Sequence, residues 1–358
     1  MSRLSALEKS KEFASRFGLS TPIMLAPMAG ACPPALSIAV SRAGGMGACG
    51  ALLMDAEGIN YWVDEVRAST NGSFQLNTWI PDPAPIRNHT REQRVRDFLA
   101  NWGPQVNPAA ADKVAPDFDA QCVAMIDARP HVISSIMGLY PVHYVQQMKA
   151  ADIAWFATVT TVAEALAAEA AGADVIVAQG MEAGGHRGTF NGDNAENCLI
   201  GLFSLLPAIV DAVDIPVVAT GGIADSRGAT AALLLGASAV QIGSGFLRTP
   251  EAAIAPAWAD AIEHVAPEDT AATRAFSGRL GRSIRTAYVD ATAKSEAPSS
   301  APYPIQRNLT ANMRAAAVKE NNVDGMQAWA GQSAGLAKNV SANKVLEDIW
   351  TGMQAVLG

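Results

Sequence analysis

Short apolar runs alternate with alanine-rich stretches of helical period along most of the chain. The runs are four or five residues long, and the stretches between them repeat apolar residues at intervals of three and four. Such alternation is typical of βα units that build a parallel sheet. The runs predicted as strands are 23–26, 46–49, 73–77, 132–136, 153–157, 174–178, 217–220 and 239–242. Because eight βα units can close on themselves, the pattern predicts an α/β fold, a (β/α)8 barrel of the TIM type.

The stretches between these runs predict six helices. Several of them are followed by a glycine such as Gly44, Gly172 or Gly236, which can adopt the left-handed conformation that ends a helix. The predicted helices are 35–42, 55–70, 141–149, 161–171, 202–213 and 226–235.

Two segments interrupt this regular pattern. One is rich in proline, asparagine and charge, has a single helical segment at 91–101, and is too long for an ordinary βα connection. The other begins after residue 257 and predicts helices near 258–265, 310–320 and 342–356. We therefore predict a barrel from residues 1–80 and 131–257, an insertion over the barrel mouth at 81–130, and a helical lid or substrate region at 258–358.

Composition narrows the class of protein. Hydrophobic residues make up 49% of the chain and charged residues 17%, which is typical of a well-buried globular enzyme. The net charge is −8 and the cations are scattered singly, which argues against nucleic acid as a partner. Charges interrupt the N-terminal segment and every long apolar stretch, so we expect no signal peptide, no membrane span and a cytoplasmic protein. A small-molecule substrate is the expected partner, and a homodimer is compatible with the composition.

Polar and glycine residues follow the predicted strands, where the loops of a barrel converge on one mouth. Ala26, Pro27 and Met28 close the first strand, Asn77 the third and Gln179 the sixth. An amide side chain offers both a donor and an acceptor, so that each of these residues can bind the polar edge of a ligand in the mouth. The alternative is that the two amides only cap their own loops.

Glycine turns follow the seventh and eighth strands. Gly221 and Gly222 form the first turn, and the sequence Gln241, Ile242, Gly243, Ser244 forms the second. Without a side chain, main-chain amides can approach an anion closely, and these two strand ends are the usual phosphate site of such barrels. Either turn alone also fits a simple helix entry. A barrel that binds a phosphorylated metabolite for regulation, without catalysis, is a further alternative.

One histidine lies in a glycine-rich loop directly after the sixth strand. His186 follows Gly184 and Gly185 and precedes Gly188, so the loop can lie flat against a planar ring. We predict that His186 is the catalytic residue, with a structural histidine as the alternative. The neighbouring Arg187 is predicted to form an ion pair within the loop.

Three other kinds of site find no support. Residues 45–50 match G-x-G-x-x-G, but a helix precedes them and a strand lies within them, the reverse of the dinucleotide fingerprint. The remaining histidines and the cysteines lack metal-ligand spacing, so we predict no metal site. The chain also lacks the G-x-S-x-G elbow of serine hydrolases.

Together these segments resemble the nitronate monooxygenases, formerly called 2-nitropropane dioxygenases. Members of that family are FMN-containing barrels related to the flavin-dependent enoyl-acyl-carrier-protein reductases. The likeness is carried by residues 26–30, 43–47, 182–188, 221–223 and 241–244. Shorter similarities are Ser277-Gly278-Arg279 and the segment 329–332, which resemble stretches that pack over the flavin.

The resemblance implies a cofactor, a set of ligands and a reaction. His186 would be the catalytic histidine, and Ser244 stands where the family often has threonine, which keeps a hydroxyl at that position. The residues expected to bind FMN are Ala26, Pro27, Met28, Asn77, Gln179, Gly184, Gly185, Gly221, Gly222, Gln241, Ile242, Gly243 and Ser244.

The expected reaction is oxidation of alkyl nitronates, such as propionate 3-nitronate, or of nitroalkanes, with O2 as the oxidant. In it His186 would deprotonate a neutral nitroalkane or hydrogen-bond an anionic nitronate. The same architecture also serves hydride transfer, so NAD(P)H-dependent reduction of quinones or enoyl thioesters remains the alternative.

Overall fold

Eight parallel strands form the centre of the molecule. The structure is a computed structural model, and it describes residues 5–358. With elements numbered in chain order, these strands are β1 (Ile23–Leu25), β2 (Gly47–Gly50), β3 (Phe74–Trp79), β4 (Val132–Ile136), β5 (Ala154–Val159), β6 (Val175–Gln179), β8 (Val217–Thr220) and β9 (Ala239–Ile242). The hydrogen-bonded order runs β1-β9-β8-β6-β5-β4-β3-β2, and a parallel bridge from Met24 to Met46 joins the two ends. The predicted (β/α)8 barrel is therefore confirmed, and each predicted run overlaps one of its strands.

Helices surround the sheet and continue beyond it. They are α1 (Ala6–Arg16), α2 (Pro34–Arg42), α3 (Ala56–Ser69), α4 (His89–Leu99), α5 (Phe118–Asp127), α6 (Val142–Ala150), α7 (Val162–Ala170), α8 (Leu202–Val210), α9 (Ser226–Leu234), α10 (Pro256–Glu263), α11 (Ala287–Thr292), α12 (Ile305–Leu309), α13 (Ala311–Lys319) and α14 (Ala342–Leu357). Helix α3 shows why they form: Asp55 caps its first turn at Gly58 N, 2.9 Å away, and Ile59, Trp62 and Val66 bury one face. The six helices predicted between the strands are all present.

Helix α1 closes the amino-terminal end of the barrel, which the sequence analysis did not anticipate. Phe13 and Phe17 pack with Phe156 of β5, and the ring centroids of Phe17 and Phe156 are 5.0 Å apart. Burial of these rings fills the interior at that end, so the opposite end is the open mouth.

The insertion and the C-terminal region each contain a barrel helix as well as a covering layer. Helix α5 lies within 81–130 but packs against α3 and α6. Helix α14 packs against α2 and α9 through Val345, Leu346 and Ile349, and so takes the place of the eighth barrel helix. The covering layer is therefore shorter than the predicted segments.

That covering layer combines the chain after β3 with the chain after β9. Val95 and Leu99 of α4 share an apolar cluster with Phe276, Tyr288 and Leu309. A small antiparallel sheet of β10 (Thr270–Thr273), β11 (Gly281–Ile284) and β7 (Gly185–His186) joins this layer to the loop after β6. No helix between residues 5 and 358 is both long and apolar enough to cross a membrane.

Candidate active site

The carboxyl ends of neighbouring strands bring the predicted site residues to one mouth. Strand register aligns Gln179 with Thr220 and Thr220 with Gln241, so the ends of β6, β8 and β9 lie side by side. The glycine turns after β8 and β9 are consequently neighbours, as a shared ligand group would require.

The barrel interior below this mouth contains amides where aliphatic side chains are usual. Gln75, fully buried, donates from Nε2 to the carbonyl of Leu25 (3.1 Å) and to Oε1 of Gln241 (3.0 Å). Its own Oε1 has no hydrogen-bond partner in the described part of the chain. Asn77, two residues further on the same face, donates from Nδ2 to Oγ of Ser134 at 3.0 Å. Gln75 was not predicted as a site residue, although its position two residues before Asn77 places the two side chains on the same face of the strand.

Gln179 holds the histidine loop from within. Its Nε2 donates to the carbonyl of His186 (3.0 Å), and its Oε1 accepts from the main-chain N–H of Gly188 (2.8 Å). Both ends of this buried amide therefore form hydrogen bonds with the loop. These contacts correspond to the alternative in which Gln179 caps its own loop. Arg187 also differs from expectation: it donates to the main-chain carbonyls of Gln179 and Cys198 instead of to a carboxylate.

His186 lies at the centre of the covering layer. It pairs with Gly281 in the small sheet, and its Nε2 is 2.7 Å from Oγ of Ser277. Trp79 and Trp329 stand edge-on to the imidazole, with centroid distances of 4.6 Å and 4.9 Å.

Burial and nearby cations keep this imidazole neutral. Burial lowers the pKa of His186 to about 3, and the charges of Arg279, Arg307 and Arg314 act in the same direction. At neutral pH the ring therefore has one N–H donor and one acceptor nitrogen. A group with these properties can accept a hydrogen bond from a substrate or donate one to an anion. It can accept a proton only where the negative charge that forms on the substrate stabilises the imidazolium.

The covering segment 329–332 touches the loop through main-chain contacts. A Cβ on Gly184 would lie 2.5 Å from the main-chain nitrogen of Gly331, so a larger residue at 184 would push the two chains apart. The N–H of Gly331 donates to Oγ of Ser244 (2.9 Å), and that of Gln332 donates to the carbonyl of Glu182 (2.9 Å). This segment thus links the turn after β9 to the histidine loop.

The backbone at the glycine turns favours glycine on steric grounds. Gly221 and Gly222 have φ of +105° and +70°, a region that side chains strain. A Cβ on Gly243 would lie 3.3 Å from Sδ of Met28, which places the loop after β1 beside the turn after β9.

The remaining predicted ligands lie at the same mouth. Ala26 donates its main-chain N–H to the carbonyl of Ile242 at 2.9 Å, and Pro27 follows in the loop after β1. Gly185, with φ of +74°, pairs with Arg282 in the small sheet.

A partly buried ion pair holds the covering layer in place and was also not predicted from the sequence. Arg279, 3% exposed, donates from Nε to Oδ2 of Asp82 (2.7 Å) and from a terminal nitrogen to Oδ1. Its other terminal nitrogen donates to the carbonyl of Thr189 (3.2 Å). The pair joins residues separated by 197 positions, so no local pattern could reveal it.

Replacing Asp82 with alanine should lower the free energy of unfolding by about 3 kcal/mol, because it leaves the Arg279 guanidinium buried without its carboxylate. Chemical denaturation of both proteins measures this. Asp290→Ala is the control, because the Arg285–Asp290 pair is about half exposed and should contribute roughly 0–1 kcal/mol. Equal, small losses in the two variants would show that the Asp82–Arg279 pair does not stabilise the layer.

Comparison with known proteins agrees with this geometry. The family model described as nitronate monooxygenase matches residues 11–352. A protein from Staphylococcus aureus strain Newman, named probable nitronate monooxygenase, is 35% identical over 331 residues, 92% of this chain and 93% of its own.

Solved structures give the same result. Nitroalkane oxidase from Streptomyces ansochromogenes is 33% identical, with a TM-score of 0.87 over 97% of this chain and 100% of that one. FabK from Thermotoga maritima is 27% identical, with a TM-score of 0.76 over 97% and 96% of the two chains. The predicted resemblance is confirmed: the chain is an oxidoreductase that belongs to the nitronate monooxygenase family.

Proposed function

We propose that this enzyme uses FMN to oxidise alkyl nitronates, with O2 as the electron acceptor. The observation that carries the proposal is the neutral imidazole of His186. Two tryptophan rings stand edge-on to it, and burial and the charges of three arginines lower its pKa. Family membership supports the reaction class, and the arginines favour a substrate in its anionic, nitronate form.

The residues at the mouth fit FMN in two respects. Gly221, Gly222 and Gly243 allow main-chain amides of adjacent strand ends to approach a phosphate closely. The unpartnered Oε1 of Gln75, buried in the barrel, is an acceptor that fits a ligand carrying an N–H group, as the isoalloxazine ring does. Bound there, FMN would accept electrons from the substrate and pass them to O2.

The arginines near His186 supply the charge that an anionic substrate needs. Arg314 donates to Oε1 of Gln327 (3.0 Å) and to the carbonyl of Arg307 (2.9 Å). Neither Arg307 nor Arg314 forms a salt bridge with the residues that the structure describes. Burial lowers the pKa of Arg314 to about 10, so that this guanidinium stays charged at neutral pH, and burial also lowers the pKa of Arg307. Two cations without carboxylate partners favour a nitronate over a neutral molecule.

The protein's own groups then position the substrate and move a proton. The imidazole of His186 accepts the α-proton of a neutral nitroalkane and, once it carries that proton, donates it in a hydrogen bond to the nitronate that forms. Trp79, Trp329 and Tyr303 exclude water around that group. We propose that the covering layer, which the Asp82–Arg279 ion pair holds in place, encloses the substrate.

Cofactor release and oxygen uptake test the proposal. The purified protein should be yellow, and denaturation should release one FMN per chain. Oxygen consumption should follow addition of propionate 3-nitronate without any nicotinamide cofactor. A colourless protein, or one that consumes no oxygen with nitronates but reduces quinones with NADH or NADPH, would refute the proposed function and favour the reductase alternative.

Arg307→Gln should raise the KM for propionate 3-nitronate by about 10-fold to 100-fold, since an ionic hydrogen bond contributes roughly 1.5–3 kcal/mol. Steady-state oxygen uptake measures it, and turnover of a neutral nitroalkane should change much less. Arg285→Gln removes an exposed charge that is paired with Asp290 and serves as the matched control. Unchanged KM in Arg307→Gln would remove this residue from anion binding.

A further inference from the structure

We infer that Ser277 is a positioning residue that fixes the tautomer of His186, with the proton on Nε2 and the lone pair on Nδ1. The inference rests on the proposed function in one respect, namely that His186 acts on the substrate. It adds which ring nitrogen acts, and which side chain determines that choice.

Three close contacts converge on the hydroxyl of Ser277, a fully buried side chain. Its Oγ is 2.7 Å from Nε2 of His186, 3.2 Å from the carbonyl oxygen of Arg279, and 3.3 Å from the main-chain nitrogen of Arg279. The last contact is an N–H donor, so Oγ accepts there. The single hydroxyl proton must then go either to the carbonyl or to the imidazole.

Counting hydrogen bonds separates the two arrangements. If the hydroxyl donates to the carbonyl of Arg279, Nε2 must carry a proton and donate to Oγ, and all three contacts are hydrogen bonds. If the hydroxyl donates to Nε2, the carbonyl loses the only donor that the described residues offer it. A buried carbonyl without a donor loses its hydrogen bond to water without replacement, so the first arrangement is favoured.

The turn that holds Ser277 keeps this geometry rigid. Gly278 has φ of +86°, and a Cβ there would clash with the backbone of residues 301–303. Its N–H donates to the carbonyl of Arg274 at 2.8 Å. On the other side, Arg279 is clamped by Asp82. The hydroxyl therefore cannot follow the imidazole if the ring turns.

This arrangement leaves Nδ1 as the nitrogen that meets the substrate. With Nε2–H committed to Ser277, the lone pair of Nδ1 has no protein partner among residues 5–358. Proton abstraction then breaks the Cα–H bond of the nitroalkane, forms the Nδ1–H bond, and leaves the electron pair on the nitronate. Ser277 accepts from Nε2–H before and after the transfer, and so stabilises the imidazolium.

Nitrogen NMR of the wild-type holoenzyme tests the tautomer directly. With ¹⁵N-labelled histidine, the resonance absent from His186→Asn identifies the ring. We expect Nε2 to be the protonated nitrogen and Nδ1 the unprotonated one at neutral pH. Protonated Nδ1 would overturn the inference, whatever substrate the enzyme uses, so this result is separate from failure of the proposed function.

Substitution of Ser277 tests its effect on turnover. Ser277→Ala should lower kcat for a neutral nitroalkane by about 10-fold to 100-fold, the usual cost of removing a partner that orients a functional histidine. KM should change less than threefold, the NMR signals should show a mixture of tautomers, and Ser277→Thr should restore one. Ser283→Ala is the control, because Ser283 is equally buried and donates to the carbonyl of Ala328 (2.9 Å), not to His186. Unchanged kcat and an unchanged tautomer in Ser277→Ala would contradict the assignment.

Discussion

His186→Asn should lower turnover of a neutral nitroalkane by about 10²–10⁴, the usual contribution of positioned proton transfer. Asparagine keeps a hydrogen-bonding side chain of similar reach but cannot take a proton near neutral pH. The substituted position pairs with Gly281 through its backbone, so the loop and the bound FMN should both be retained. Oxygen uptake and FMN content of the purified variant measure the two effects.

Comparison of two substrates separates a general base from a histidine that has only a structural role. An anionic nitronate has already lost its proton, so its turnover should fall much less than that of the neutral nitroalkane. His131→Asn is the matched control, because His131 precedes β4 at the opposite end of the barrel. Equal loss with both substrates, or no loss with either, would rule out His186 as a general base.

Gly222→Asp should yield a protein that purifies without FMN. The carboxylate would stand where we propose that main-chain amides meet the phosphate, and two negative charges at close range repel. It would also crowd Glu182, because a Cβ at 222 lies 3.2 Å from Cβ of that residue. The ratio of flavin to protein absorbance measures the loss.

Gly222→Asn isolates the contribution of charge. Asparagine has nearly the same shape as aspartate and tolerates the positive φ of this position about as well. It should therefore retain clearly more FMN than the aspartate variant, which also places a second carboxylate beside Glu182. If Gly222→Asp keeps one FMN per chain, the assignment of the phosphate to the turn after β8 is wrong.

The barrel could be predicted from the sequence because the patterns that indicate its strands and turns are local. Each strand is a short apolar run such as Val217–Thr220, and glycines mark the turns that follow. Helix α14 shows the limit of such signals. Its apolar face is equally compatible with a lid helix, and only its packing against α2 and α9 places it in the barrel ring.

The candidate site also combines features that the sequence reveals with features that only the folded chain reveals. The positions of His186 and of the glycine turns at the barrel mouth were predicted, because they lie in segments that follow β6, β8 and β9. The role of Gln179 was not, since a sequence does not reveal whether an amide faces a ligand or its own loop. Ser277 and His186 are 91 residues apart, and only the folded chain brings their polar atoms together.

Anaerobic mixing of the purified holoenzyme with one reductant at a time shows which molecule reduces the flavin. Propionate 3-nitronate, NADH and NADPH would each be added without O2 while the flavin absorbance is followed. We expect the nitronate to bleach the flavin fastest, and admission of O2 to restore the absorbance. Rapid bleaching by NADH or NADPH, with no change on addition of the nitronate, would contradict it.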